Sequence, residues 1–334
     1  MRIFIRGIDG YIGYALAMHL VQRGNSVGGC DTFEREQLAT RLESPSVLPH
    51  ELANLSRNIL FFENLDFALT DFKPNVIIDV ARTFTLNGET SDPGLLPIAV
   101  KLRSHPTSWL VLSDIHTYVP ANLPIPENEL EIFYEACSSF LLHPIRAYSI
   151  HSTYECLVQT QVNFFRNIWK LPVVDLRIGL VYGVTEEPWH RLHVDEIQGN
   201  LINYFCAKGV KQGIVNIPFN PVVAIISIKQ LCLFIESLLV TGSIDQSPIH
   251  VFDQLVSLKG LGYKLKHVFA EDFDLRLRLG FSRKGNAPLG WATKINIERH
   301  PLNTAFKSLT IEGEFKNLIR TCFGFRKKIN KVVR

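Results

Sequence analysis

Short apolar runs alternate with stretches of helical periodicity along the first half of the chain. RIFIR (2–6) leads through a glycine turn into YALAMHLVQRG, whose apolar residues recur at helical spacing. SVGGC (26–30), NILFF (58–62) and NVIID (75–79) read as buried strands. LLPIAVKLR reads as a helix, SWLVLS (108–113) as a strand, the segment around 146–168 as a long helix, and PVVDLRI (172–178) as another strand. Strands alternating with helices predict an α/β fold, a Rossmann-type doubly wound parallel sheet with helices on both faces. After Tyr182 the pattern loosens and becomes richer in Pro, Asn and Gly. The expected division is therefore a Rossmann domain over 1–182 and a smaller C-terminal α/β lobe with a basic tail over 183–334. NPVVAIISIKQLCLFIESLL again reads as strand then helix, so a segment near 221–240 is expected to return to the first domain.

Composition narrows the class only a little. With 334 residues, 46% of them hydrophobic, the chain can bury a sizeable core. The first strand-like run starts at Arg2, so no secretory or transit signal is expected ahead of it. LCLFIESLLV is short and carries Glu236, so it reads as a core helix and no membrane span is expected. Six cysteines (30, 137, 156, 206, 232 and 322) form no CxxC pair and no zinc-spaced cluster, so no metal is expected. Reduced thiols in a cytoplasmic protein fit that scatter. The net charge of +3 hides an asymmetry: seven basic residues and no acid follow Phe315, and the rest of the chain stands at 3 − 7 = −4. FRKKINK lacks the interleaved aromatics that stack on bases, and no nucleic-acid partner is expected.

The chemistry begins in the first turn. Gly7, Gly10 and Gly13 stand between the first strand and the first helix, with Asp9, Tyr11 and Ile12 among them. A dinucleotide pyrophosphate needs backbone N–H groups at a helix N-terminus and a closer approach than a Cβ permits. The first two glycines make and open the turn; the third lets helix and strand pack. Asp31 closes the next strand, where a carboxylate can bond both ribose hydroxyls and repel a 2′-phosphate. NAD is expected ahead of NADP, with Arg35 the residue that would suit NADP.

The order Gly7-x-x-Gly10-x-x-Gly13, Asp31, Tyr148 and LRIGLVYG (176–183) resembles the extended short-chain dehydrogenase/reductase family, the nucleotide-sugar epimerases and dehydratases. The resemblance covers about the first 240 residues. NLDF around Asp66 is similar to the family's adenine-side acidic motif, and NVIIDVA, ending at Ala81, to its fourth strand and turn. LRIGLVYG, with Arg177, is similar to its sixth strand. DGYIGYALAMHL followed by CDTFEREQL looks nearest the UDP-sulfoquinovose synthase-like branch. The resemblance implies NAD, a nucleotide-sugar substrate and a homodimer made by a helix pair. It also implies a catalytic Ser/Thr, a Tyr and a Lys four residues after the Tyr. Tyr148 matches. Ser152 stands at the lysine position, and Asp114 at the Ser/Thr position with Ser113 just before it.

That degeneracy has a chemical cost. A free tyrosine titrates near ~10, and an adjacent ammonium lowers this. Without the lysine, reaching the phenolate at neutral pH costs roughly 4 kcal/mol, at ~1.36 kcal/mol per pKa unit. An ionised Asp114 would oppose the phenolate further. His116 and His151 titrate near neutrality and are candidates to act as acid or base in the lysine's stead. Arg191 and His193, after the VYG turn, and Arg283 are candidates to meet an anionic substrate. YFCAK (204–208) also fits Tyr-x-x-x-Lys, but it falls in the second lobe and reads as coincidence. Three functions stay open: an NAD-dependent enzyme using transient oxidation, a non-redox lyase or isomerase on the same scaffold, and a non-catalytic dinucleotide-binding pseudoenzyme.

Overall fold

The computed structural model describes residues 1–31, 58–62, 64–81, 95–105, 107–115, 124–125, 147–184, 201–217, 222–242, 248–281, 296–297 and 310–332. The first half runs β1 (Arg2–Arg6), α1 (Tyr11–Gln22), β2 (Ser26–Cys30), β3 (Ile59–Phe61), β4 (Val76–Asp79), α2 (Leu96–Ser104), β5 (Ser108–Asp114) and β6 (Pro124–Ile125). Then follow α3 (Ala147–Asn167), β7 (Val173–Ile178), β8 (Leu180–Tyr182), α4 (Leu201–Gln212), β9 (Ile214–Ile217), β10 (Val222–Ser227) and α5 (Ile228–Thr241). The rest is β11 (Ile249–Val251), β12 (Gln254–Ser257), α6 (Leu258–Phe273), β13 (Arg278–Phe281), β14 (Asn296–Ile297) and α7 (Ile311–Val332).

Among the described residues the main sheet has seven strands in the order β11-β7-β5-β4-β1-β2-β3. Every pairing in it is parallel. The sheet is doubly wound because its strands are apolar on both sides. Ile3 and Ile5 join one hydrophobic layer with Val76, Ile78, Leu110, Leu112, Val174 and Leu176. Phe4 faces the other way, with Ile77, Trp109, Val111 and Val173. Side chains alternate across a strand, so period-two burial on both faces requires helices above and below. α1 and α5 cover the first layer, and α2 and α3 cover the second. Trp109 is fully buried there, its ring stacked 6.2 Å from that of Phe165 on α3.

Strand order reverses between β1 and β4, the place where open α/β sheets bind ligands beyond their C-terminal edge. The returning segment divides in a way the sequence does not announce. Its helix, α5, packs on α1, where His19 Nε2 meets Glu236 Oε2 at 2.7 Å. Its strand, β10, joins a separate three-stranded sheet between β12 and β8. The strand that extends the main sheet is β11, paired with β7 from Ile249↔Leu176 to Val251↔Ile178. α7 buries Phe315, Leu318 and Ile319 and packs on α4 and α6, with Lys316 Nζ 2.7 Å from Asp272 Oδ1. No helix among the described residues is long and apolar enough to cross a membrane.

Candidate active site

The glycine turn is built to keep side chains out. Gly7 has φ +86°, and a Cβ on it would stand 2.8 Å from the Ala81 nitrogen. A Cβ on Gly13 would stand 2.0 Å from the Gly7 carbonyl oxygen. Gly10 is the N-cap of α1 in extended conformation; no side chain caps that helix, and its first turn carries no acid. Among the described residues no such cap offsets the positive end of the helix dipole. Asp31 fixes the turn from the next strand, its Oδ2 accepting the Asp9 N–H at 2.8 Å. Asp9 is buried and Ile12 half-buried. Tyr11 reaches across the fold and donates its hydroxyl to the Gly183 carbonyl at 2.8 Å.

Behind the turn, Arg6 Nε donates to Asp79 Oδ2 at 3.0 Å, and Asp79 Oδ1 accepts the Ala81 N–H at 3.2 Å. The ion pair holds the chain leaving β4 against Gly7. Burial pushes the neighbouring Cys30 thiol up to about 11, so it is protonated at neutral pH. Asp66 lies in a short helical segment after β3, its carboxylate 2.7 Å from Lys101 Nζ of α2. The geometry suits a pyrophosphate on the α1 amides and a ribose at Asp31.

At the end of β5, Ser113 and Asp114 meet two polar side chains of α3. Glu155 Oε2 of α3 accepts the Asp114 N–H at 3.1 Å. Gln159 Nε2 donates to the Asp114 carbonyl at 3.1 Å and to Ser113 Oγ at 3.2 Å. Phe165 lies against Trp109. As residue numbers rise along α3 they fall along β5, so the two run antiparallel. The turn holding Tyr148, His151 and Ser152 therefore extends beyond Asp114, over the C-terminal edge of the sheet. At 1.5 Å per residue Tyr148 is about 10 Å further along the axis than Glu155.

Ser113 is buried and donates its hydroxyl to Asp175 Oδ1 at 2.5 Å. Asp114 is half-buried at the strand's end. Arg177, read from the sequence as a cofactor residue, is buried with Nε 2.7 Å from Asp175 Oδ2. Burial draws its pKa down to about 9, leaving it cationic at neutral pH. Arg35, His116, Arg191, His193 and Arg283 lie outside the described residues. In α4, Lys208 Nζ does donate to Tyr204 at 2.8 Å, but that helix packs on α7 and β9.

Asp175, Glu155, Gln159, Arg6 and Asp79 escape a reading of the sequence, although weak signals exist. Asp175 and Arg177 alternate within an apolar strand, and 148, 152, 155 and 159 share helical spacing. A second polar knot surrounds Gly183, which has φ +103° and donates its N–H to Asn203 Oδ1 at 3.0 Å. Glu314 of α7 is fully buried beside it, with Lys229 Nζ 3.9 Å from Oε1. Burial raises the Glu314 pKa and Lys229 opposes that. Among the described residues neither its carboxyl nor the buried Tyr182 hydroxyl has a hydrogen-bond partner.

Sheet order and glycine turn together define a doubly wound Rossmann-type fold. No family model matches the chain. The UDP-sulfoquinovose synthase of Sulfolobus acidocaldarius is 24% identical, over 63% of this chain and 63% of that one. The chloroplastic UDP-sulfoquinovose synthase of Spinacia oleracea is also 24% identical, over 62% of this chain and 51% of its own length. The chain thus spans less than two thirds of these curated relatives. Among solved structures, UDP-glucuronic acid 4-epimerase from Bacillus cereus, in complex with UDP-glucuronic acid and NAD, superposes with a TM-score of 0.69 at 14% identity. That match covers 97% of this chain and 100% of that one. UDP-glucose 4-epimerase from Thermotoga maritima, with UDP-glucose, gives 0.65 at 19% identity, over 98% and 100% of the two chains. An NAD-dependent NDP-hexosamine 5,6-dehydratase involved in tunicamycin biosynthesis gives 0.63 at 16%, over 96% of each. The chain is thus similar in sequence to two UDP-sulfoquinovose synthases and in fold to solved nucleotide-sugar epimerases and a dehydratase.

Proposed function

We propose that this protein is an NAD-dependent enzyme of epimerase or dehydratase type, acting on a nucleotide-linked sugar or similar hydroxylated metabolite by transient oxidation of an alcohol. The observation that carries the reading is a shared sheet edge. The glycine turn and uncapped α1 stand at the β1–β4 reversal, and α3 runs out past Asp114 on the strand next to β4. NAD with UDP-glucuronic acid in the Bacillus cereus epimerase, and UDP-glucose in the Thermotoga maritima one, support the same pairing of ligands.

Gly7, Gly10 and Gly13 let the backbone hold the pyrophosphate, and Asp31 holds the adenosine ribose and disfavours NADP. When bound, NAD supplies reversible two-electron oxidation of a carbinol carbon. Tyr148 removes the proton from the substrate hydroxyl. Ser152 bonds a ribose hydroxyl but brings no charge, so the roughly 4 kcal/mol that a lysine would offset falls to other groups. Asp114 with His116, or His151 on α3, takes that acid/base role. A ketone so formed acidifies the neighbouring C–H, which opens epimerisation, elimination or addition. Arg191, His193 and Arg283 carry the charge for an anionic substrate. Exposed apolar residues on α2 (Leu96, Val100) and α3 (Leu157, Phe164), helices that cover one face of the sheet, support a homodimer through that pair.

Native mass spectrometry followed by denaturation identifies any retained nucleotide, and a panel of UDP- and dTDP-sugars then tests turnover. Tyr148→Phe is expected to lower kcat by about a hundredfold or more. Protein that takes up neither NAD nor NADP would sink the redox reading. The Ser152 and Asp114 departures favour one alternative, a non-redox lyase or isomerase. In that case Tyr148→Phe would retain activity and Asp114→Asn would lose it. Retained NAD with no turnover of any sugar would point to a dinucleotide-binding pseudoenzyme.

A further inference from the structure

We propose that Glu155 and Gln159 are positioning residues that set the register of α3 over Asp114, and through it the place of Tyr148. The inference rests on the reading that Tyr148 and Asp114 belong to the reacting site.

Between them the two side chains grip the Asp114 backbone by both its N–H and its C=O. Glu155 takes the N–H at 3.1 Å and Gln159 gives to the carbonyl at 3.1 Å. Both side chains are 2% exposed, and they stand at successive turns of one helix face. Ordinary helix-on-sheet packing is apolar and allows sliding by fractions of an ångström, because dispersion contacts are not directional. Hydrogen bonds are directional, and a buried one lost to sliding leaves its groups without water. The grip therefore selects one register of α3 against β5.

The partner strand is held in turn. Gln159 Nε2 also reaches Ser113 Oγ, whose own proton goes to Asp175, and Asp175 is fixed by Arg177 on the same strand. Ser113 thus belongs to the clamp, while Asp114 extends past it. The spacing 148, 152, 155, 159 places Tyr148 and Ser152 on the helix face that carries the two clamping residues. A site that lacks its lysine depends more heavily on geometry, since a misplacement of ~1 Å can cost about a hundredfold in rate.

The test compares Glu155→Ala, Glu155→Gln, Gln159→Leu and Val158→Ala in the full chain loaded with NAD. Val158 is buried on α3 within the apolar layer and serves as the control for simple loss of packing. Amide hydrogen exchange is read over 108–115 and 147–156. Glu155→Ala is expected to speed exchange roughly tenfold at the Asp114 amide and in the first turns of α3. Glu155→Gln keeps an acceptor for the Asp114 N–H and should restore protection. Val158→Ala should lower Tm without exposing the Asp114 amide. With a turned-over sugar in hand, Glu155→Ala and Gln159→Leu should lower kcat by ~10–100-fold at unchanged KM, and Glu155→Gln should rescue kcat. Unchanged protection at Asp114 in Glu155→Ala overturns the proposal, as does a kcat loss in Val158→Ala that matches the loss in Glu155→Ala. Turnover that survives Tyr148→Phe instead overturns the underlying reading of the site, whatever the exchange data show.

Discussion

Replacing Gly13 by Ala sets two effects against each other. In a helix interior Ala is favoured over Gly by about 1 kcal/mol, so local propensity argues for stabilisation. The new Cβ, however, would stand 2.0 Å from the Gly7 oxygen, 2.8 Å from the Gly7 carbonyl carbon and 2.9 Å from the Ile8 Cα. All three are backbone atoms and cannot rotate away. Restoring an ordinary contact requires α1 and the turn to separate by roughly 1.4 Å, at an overpacking cost of ~1–3 kcal/mol. Sterics should win, with a modest net destabilisation. The larger consequence is for ligand binding. A shift of that size breaks the aim of the turn's amides at a pyrophosphate, and losing two charge-assisted hydrogen bonds costs about 3 kcal/mol, or roughly a hundredfold in Kd. At NAD near 100 times the wild-type Kd, the wild type should gain about 2.7 kcal/mol. For a chain of this size that is roughly 4 °C in Tm. Gly13→Ala under the same conditions should gain only ~0.4 kcal/mol, under about 1 °C. Gly24→Ala is the control: nothing lies within 4 Å of its added Cβ, but φ is +79°. It should lose ~1–2 kcal/mol of stability yet keep the full NAD shift. A full shift in Gly13→Ala would refute the argument.

Further expectations follow from the two polar knots. Asp31→Ser removes the carboxylate that accepts the Asp9 N–H, and should weaken NAD about tenfold while narrowing its margin over NADP, read by titration calorimetry with both. Glu314 has a folded pKa raised by burial, so its contribution to stability is full below the unfolded value and is lost as pH rises through the folded value. Wild type minus Glu314→Gln should therefore decline in Tm from pH ~4.5 upward, and a flat difference would contradict a Glu314 pKa raised by burial. Tyr182→Phe removes a buried hydroxyl that has no hydrogen-bond partner among the described residues, and should be neutral or stabilise by up to ~1 kcal/mol in a urea melt.

What the sequence discloses depends on the range of the forces involved. β1, β2, β4, β5 and β7 are legible because each is a short run whose alternate residues both face apolar layers. The glycine turn is legible because its chemistry is local: three residues, one strand and one helix. β11 is not, since IHV is only three residues long and carries a histidine that the fold buries completely. Ser113 and Asp114 stand together as candidates until the sheet brings Asp175 to the serine. The hold of Glu155 and Gln159 on β5 spans some forty residues, and no periodicity within α3 reveals that their partner is backbone.

The late arrival of β11 has a consequence for how the chain is made. Residues 2–178 supply six of the seven strands of the main sheet, and the seventh ends at Val251. Until then β7 offers an open row of backbone donors and acceptors, the kind of edge that pairs with other chains. At ~5–20 residues per second, synthesis from β7 to β11 alone takes roughly 4–15 s. A nascent chain that stalls in that interval, or a fragment cut after Tyr182, carries a nearly complete sheet whose edge is the six-residue β7 in place of the three-residue β11. Such a fragment should be recovered mainly as aggregate, and resupplying residues 183–334 in trans should bring it into solution.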